Sequence, residues 1–277
     1  MDRETPISEH AYLFEAKGIQ RYLFHGGRLR DVVGSSDLVA AVTGDQAGYA
    51  IDAILRSVHA DGENSFSFSR KAGGAFCLHG PRDGLVQVRR AFRLALMRAL
   101  PGLEFTDALG KGANALAAAA DARAKSGGVR ENSSASVLPL GRPVLAIAPR
   151  TGMPCVRLDN HGEALDRILL PQRERADTLA QQGGALDGVT QRFHPENTPD
   201  FRYPRNLDDD EEDSPENPLM PWRNGGDRRV GLVHADISGL GQLYARAGCT
   251  APAQALQLSA AIEDAILRAV RRANAAI

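Results

Sequence analysis

The chain lacks the features that would take it out of water or hold it together covalently. No uninterrupted apolar run in its 277 residues approaches the roughly 20 that a membrane-spanning helix needs. Its start, MDRETPISEH, has no apolar core of the kind that marks a secretion signal. A soluble cytoplasmic protein with no membrane contact is expected. Cysteine is scarce: Cys77, Cys155 and Cys249 are the three present, far apart and without a CxxC pair. Both a zinc ribbon and a disulfide framework are therefore poorly supported, and reduced, mostly buried thiols are the reading. Neither sign of charge dominates, with 33 Lys+Arg against 34 Asp+Glu and a net charge of -1. No global basic field advertises nucleic-acid binding, although summed charge leaves local patches open.

What is present is a core-forming composition, 43% apolar, arranged in a readable order over the first hundred or so residues. His10–Ala16 (HAYLFEA) suits a buried strand, and Ile19–Phe24 a brief helical turn stopped at Gly26-Gly27. Gly34-Ser35-Ser36-Asp37 offers capping side chains for a helix running to about His59, kinked or split where Gly44 and Gly48 weaken it. Ser65–Gly80 reads as a β-hairpin, with alternating Phe66 and Phe68, a Lys71–Gly74 turn and a return strand over Ala75–Leu78. A helix from Asp83, with Leu85, Val88, Phe92 and Leu96 on one face, ends at Pro101-Gly102, and Leu103–Thr106 supplies a fourth strand. The order is βαββαβ, so the expected class is α+β with a ferredoxin-like unit over residues 1–110.

The pattern then weakens. Residues 111–192 read as a variable α/β region: an Ala-rich helix to Gly127-Gly128, a strand at Arg142–Ala148, and a mostly polar helix over Gly162–Gln182. Residues 193–228 are rich in Pro, Asn and acid, including Asp208–Asp213 (DDDEED), and read as a linker that buries too little apolar surface to order itself. That acidic run could mimic DNA, but a solvated linker is the plainer account. Order returns at 229–277, with a strand at Val230–Ala235, a glycine turn, and an amphipathic helix over Ala253–Ala273 capped by Thr250. The strand, glycine turn and helix at 230–273 echo those at 10–59.

The turn Asp236-Ile237-Ser238-Gly239-Leu240-Gly241 carries the candidate chemistry. Enzymes that join a hydroxyl to a nucleoside triphosphate use divalent ions held by carboxylates on rigid strands. Asp236 at a strand end fits that use as a catalytic and metal-binding acid, with the Ile237 carbonyl assisting. Ser238, Gly239 and Gly241 would let backbone N–H groups cradle a triphosphate at a helix start. Asp236 is equally suited to cap the short helix that follows. His234 and Asp236 flank one residue, and His234 is not assigned as a second ligand.

The passage Tyr12–Val39, YLFEAKGIQRYLFHGGRLRDVVGSSDLV, resembles the first palm of the large subunit of type III CRISPR effector complexes. The resemblance rests on Ile19-Gln20, Tyr22, Phe24, Leu29-Arg30-Asp31 and Gly34-Ser35-Ser36, while VHADISGLGQLY resembles the opening of that subunit's second palm. It implies two ferredoxin-like palms joined by a variable middle, in a protein of antiviral defence that turns ATP into cyclic oligoadenylate with Mg²⁺ or Mn²⁺. It also implies other effector subunits and a guide RNA as partners. Gly34, Ser35 and Ser36 then become nucleotide-contacting residues, though helix capping accounts for them as well. Gly73 and Gly74 match the first palm's hairpin without acids, as in that family's non-catalytic palm, and a Gly-Gly pair is also simply a good hairpin turn. Arg70 and Lys71 could meet phosphate or be solvated turn charges. The family's HD nuclease domain is not expected here, because no contiguous His-Asp pair occurs in the sequence. Paired cysteines of an inter-palm zinc module are likewise missing, with Cys155 alone near that place. The sequence ends at Ile277, before a GGDD-type hairpin, so a downstream segment or partner chain is expected to complete the metal site. The alternative is a catalytically inactive palm scaffold that binds nucleotide, RNA or a protein.

Overall fold

A computed structural model describes residues 9–43, 50–58, 66–72, 74–127, 146–181 and 251–275. The chain divides into two units, Met1–Gln181 with Cys249–Ser259, and Gln182–Gly248 with Ala260–Ile277. In the first unit β1 (Glu9–Lys17) leads through α1 (Ile19–Leu23), α2 (Leu29–Ala41) and α3 (Ile51–Val58) to the hairpin β2 (Ser67–Ala72) and β3 (Ala75–His79). Helix α4 (Arg82–Ala99), β4 (Glu104–Gly112) and α5 (Ala115–Ser126) follow. Then come a small hairpin of β5 (Cys155–Leu158) and β6 (Ala164–Asp166), and α6 (Leu169–Gln181). Helix α7 (Pro252–Ala275) has residues in both units.

The result is a mixed α+β architecture, a four-stranded antiparallel sheet in the order β2-β3-β1-β4 packed with helices. Alternation along the strands decides what each face meets. Tyr12, Phe14, Phe76, Leu78 and Phe105 turn to one side, where Leu85, Val88, Phe92 and Leu96 of α4 and residues of α2 and α3 complete the main core. Phe14 stacks on Phe76 at 5.3 Å between ring centroids and meets the Phe92 ring edge-on at 4.9 Å. Asp107 of β4 fastens α4 to this face. It accepts from Arg89 Nε and Nη2 at 3.0 and 2.9 Å, and from the Tyr12 hydroxyl at 3.1 Å.

On the other side Ala11, Leu13 and Cys77 face Ala118 and Ala122 of α5. The approach is close because β4 carries glycines there. A Cβ at Gly110 would collide with the Ala118 carbonyl and lie 2.8 Å from the Ala122 methyl. Asn114 caps α5, its side chain accepting from the Ala117 N–H at 2.9 Å.

Several sequence expectations are corrected here. The helix expected to begin at Gly34–Ser36 begins at Leu29, while the split expected in it is found, as α2 and α3. Gly34 cannot mark a helix start because it lies where α2 meets α6. A Cβ there would overlap the Gln172 carbonyl and come within 2.9 Å of the Ala176 nitrogen. The fourth strand runs to Gly112 rather than stopping near Thr106, since α5 covers its extra length. The start of the polar helix expected over Gly162–Gln182 is strand β6 instead, and α6 begins at Leu169. Asp166 separates the two: its Oδ1 accepts the N–H groups of Ile168 and Leu169 at 2.7 and 2.9 Å. Within the described part of the strand expected at Arg142–Ala148, only an isolated bridge from Ile147 to Pro154 is found. Among the described residues, no helix is long and apolar enough to cross a membrane.

Candidate functional site

The β2–β3 hairpin and the adjoining end of β1 are where palm chemistry would be sought in this unit. Gly74 makes the turn possible with φ 74°, a left-handed value that disfavours side chains. Its carbonyl accepts from the Ala16 N–H at 3.0 Å, tying the turn to β1. The charges here are committed to one another. Glu15 accepts from Arg70 Nη1 at 3.0 Å and from Lys17 Nζ at 2.7 Å. Burial pushes the Glu15 carboxyl up, but the Lys17 bond and the charges of Lys17, Arg70 and Arg123 leave it below its ordinary value. Lys71 pairs with Asp52 of α3 and lies 5.4 Å from the Phe68 ring centroid. Glu104 pairs with Arg21 at 2.5 Å. Among the described residues no group of three or more His, Cys, Asp or Glu side chains is placed to hold a metal ion. The hairpin end of this sheet therefore does not fit a Mg²⁺ centre.

The residues singled out in the sequence separate into three sets. Gly34 and Ser35 are buried within α2, Gly34 against α6. The Ser35 hydroxyl donates to the Val32 carbonyl at 2.9 Å, with the Leu23 carbonyl at 3.3 Å. Both are spent on packing, and neither sits at a helix N-terminus. Ser36 is exposed on α2. Gly74 is at the hairpin turn. Gly73, Asp236, Ile237, Ser238, Gly239 and Gly241 lie outside the described residues.

Two polar clusters were not anticipated. The first fastens α6 and the β5–β6 hairpin to α2. Asp31 is fully buried and accepts from Arg173 Nε at 2.7 Å and from Arg150 Nη1 at 3.0 Å. Arg173 Nη1 also donates to Asp159 at 2.6 Å and to Glu163 at 3.2 Å. Beside it, His25 Nε2 lies 3.0 Å from Asp166 Oδ2, which also accepts from the Thr151 hydroxyl. Burial acts to raise the Asp166 carboxyl, but the bonds from His25, Thr151 and the Leu169 N–H outweigh it and hold the carboxyl at about 2. Every strong charge here is opposed, so the cluster reads as a fastening rather than a reaction centre.

The second lies on the α5 side of the sheet. His79 Nε2 is 2.8 Å from Ser69 Oγ and 3.6 Å from Cys77 Sγ. Cys77 and His79 share a face because they are two apart on β3. Ser69 joins them where the β2–β3 register shifts between Phe68 and Arg70. His79 Nδ1 is buried without a hydrogen-bond partner. Burial lowers the His79 pKa to about 4 and raises that of the Cys77 thiol, so both are neutral near pH 7. A groove lined by Glu9, His10, Ser67, His79, Gly80 and Pro81 opens at this end of the sheet. The i, i+2 spacing of Cys77 and His79 was legible in the sequence; the contribution of Ser69 was not.

No protein-family model matches the chain, and no curated protein shows significant similarity to it.

Proposed function

We propose that this chain is a palm-type, nucleotide-binding protein of prokaryotic antiviral defence, related to the large subunits that make cyclic oligonucleotides from ATP with Mg²⁺ or Mn²⁺. In this reading residues 1–110 supply the core of a ferredoxin-like palm that does no chemistry, and residues 229–277 begin the palm that does. The observation that carries it is topological. A β-α-β-β-α-β order, with the crossover made by α1–α3, and an antiparallel sheet ordered β2-β3-β1-β4 are what a ferredoxin-like palm requires. That arrangement brings the β2–β3 hairpin beside the end of β1. A non-catalytic role for this first palm agrees with Glu15, Asp52 and Glu104 being engaged by Arg70 and Lys17, Lys71, and Arg21 respectively.

The metal role falls to Asp236 with the Ile237 carbonyl, and the phosphate-cradling role to Ser238, Gly239 and Gly241. One carboxylate does not hold two ions in the geometry phosphoryl chemistry needs, so turnover requires acids from a further segment or a partner subunit. The second reading is an inactive scaffold for nucleotide, guide RNA or another effector subunit.

Incubation of the protein with ATP and Mg²⁺ or Mn²⁺, alone and with candidate effector subunits, followed by mass analysis, separates the two. Cyclic or linear oligoadenylate that disappears in Asp236→Ala is the expected result. ATP binding without product in any combination selects the scaffold. Product formed at the normal rate by Asp236→Ala refutes the assignment of that residue.

A further inference from the structure

The side chains of Ser69, Cys77 and His79 meet at one point. Ser69 Oγ and Cys77 Sγ lie 2.8 and 3.6 Å from the same imidazole nitrogen, His79 Nε2. The other ring nitrogen, Nδ1, is buried without a hydrogen-bond partner. As ligands the same groups match well. Bonds of about 2.3 Å to sulfur and about 2.0 Å to nitrogen at a tetrahedral angle put those two atoms about 3.5 Å apart. Cys77 Sγ and His79 Nε2 are 3.6 Å apart.

We propose that Cys77 and His79 bind a thiophilic divalent ion of the zinc class, with the Ser69 hydroxyl or a water as a further ligand. This site is independent of the nucleotide reading and uses none of its residues. It is also unlike a CxxC ribbon, because its two ligands come from one strand face rather than from a knuckle. Binding replaces the thiol proton: the sulfur keeps its electron pair, the S–M bond forms, and the proton leaves to solvent. A thiolate and a neutral imidazole suit a borderline-soft cation.

Three further features agree. The register shift places Ser69 beside the pair, and bulges commonly re-aim a side chain in this way. The groove that reaches His79 is an entry path for the ion. Glu9 lines that groove and lies two residues before Ala11, the register partner of His79, so its Cβ is on the same sheet face. With two side-chain ligands, a hydroxyl and solvent, the centre is open rather than closed.

The test uses the full chain in a Cys155→Ser/Cys249→Ser background, metal-stripped and titrated anaerobically with Co²⁺. The expected result is a near-ultraviolet thiolate-to-cobalt charge-transfer band that saturates at one equivalent and is bleached by Zn²⁺. Cys77→Ser is expected to abolish it, and His79→Ala to weaken cobalt binding roughly tenfold or more. A folded background protein that gives no band in excess Co²⁺ overturns the proposal, as does a band that survives Cys77→Ser. Far-ultraviolet circular dichroism checks the fold of each variant. If Cys77→Ser does not fold, His79→Gln in the same background decides, and cobalt affinity equal to that of the background protein refutes the site.

Discussion

Arg173→Leu tests whether the buried ion cluster holds α6 to α2. The Arg173 side chain is 2% exposed and that of Asp31 is 0% exposed. The substitution removes donors at 2.7 and 3.3 Å from Asp31 and one at 2.6 Å from Asp159. Breaking a buried pair by removing one partner costs about 3–5 kcal/mol, because a desolvated charge is left uncompensated. Arg150, at 3.0 Å from Asp31, still opposes that charge, so the expected loss sits near the low end, about 3 kcal/mol. Asp31→Asn removes the opposite charge of the same pair. The double variant is therefore expected to lose less than the two single losses combined, with a coupling of about 2 kcal/mol. Urea denaturation followed by circular dichroism measures all four proteins, and unchanged m-values show that only stability has moved. A loss below about 1 kcal/mol for Arg173→Leu would mean the pair behaves like an exposed one. That result, or additive single losses, refutes the reasoning.

Gly34→Ala should destabilise the protein by about 1–3 kcal/mol in the same assay, because overpacking against the α6 backbone outweighs the gain in helix propensity of about 1 kcal/mol. Ser36→Ala, on the exposed side of α2, should change stability by less than about 0.5 kcal/mol. Equal effects at the two positions would mean that Gly34 is not a packing glycine. His79 in the metal-free fold stays neutral down to about pH 4, whereas its unfolded value is 6.5. The unfolded chain binds the extra proton between those values, so stability falls as pH drops through that window, by at most about 3 kcal/mol. His79→Gln should remove this slope, and an NMR titration should find the imidazole unprotonated at pH 5. A midpoint near 6.5 in the folded protein would sink the account.

Much of the sheet was legible because its determinants are local. A short apolar run marked β1, alternating Phe66 and Phe68 with the Lys71–Gly74 turn marked the β2–β3 hairpin, and the face of Leu85, Val88, Phe92 and Leu96 marked α4. Gly34-Ser35-Ser36-Asp37 misled for an equally physical reason. Such residues favour helix starts when their side chains must satisfy free N–H groups. Here Ser35 instead bonds back to the Val32 carbonyl within a helix already under way. The value of Gly34 lies in contact with Gln172 and Ala176, about 140 residues later; nothing local records such a contact. The nucleotide site was proposed from Asp236–Gly241, outside the described residues, while the Ser69–Cys77–His79 cluster arose where no motif pointed.

The sequence by itself determined the order of strands and helices through Gly112, because periodicity, turn residues and breakers act over a few neighbours. Only the tertiary structure decided which faces were shared: that α5 lies on Gly110, that α6 clamps α2 through Arg173 and Asp31, and that Ser69 meets Cys77 and His79. These depend on close approach and desolvation between segments distant in the chain, and such costs come into being only when the segments meet.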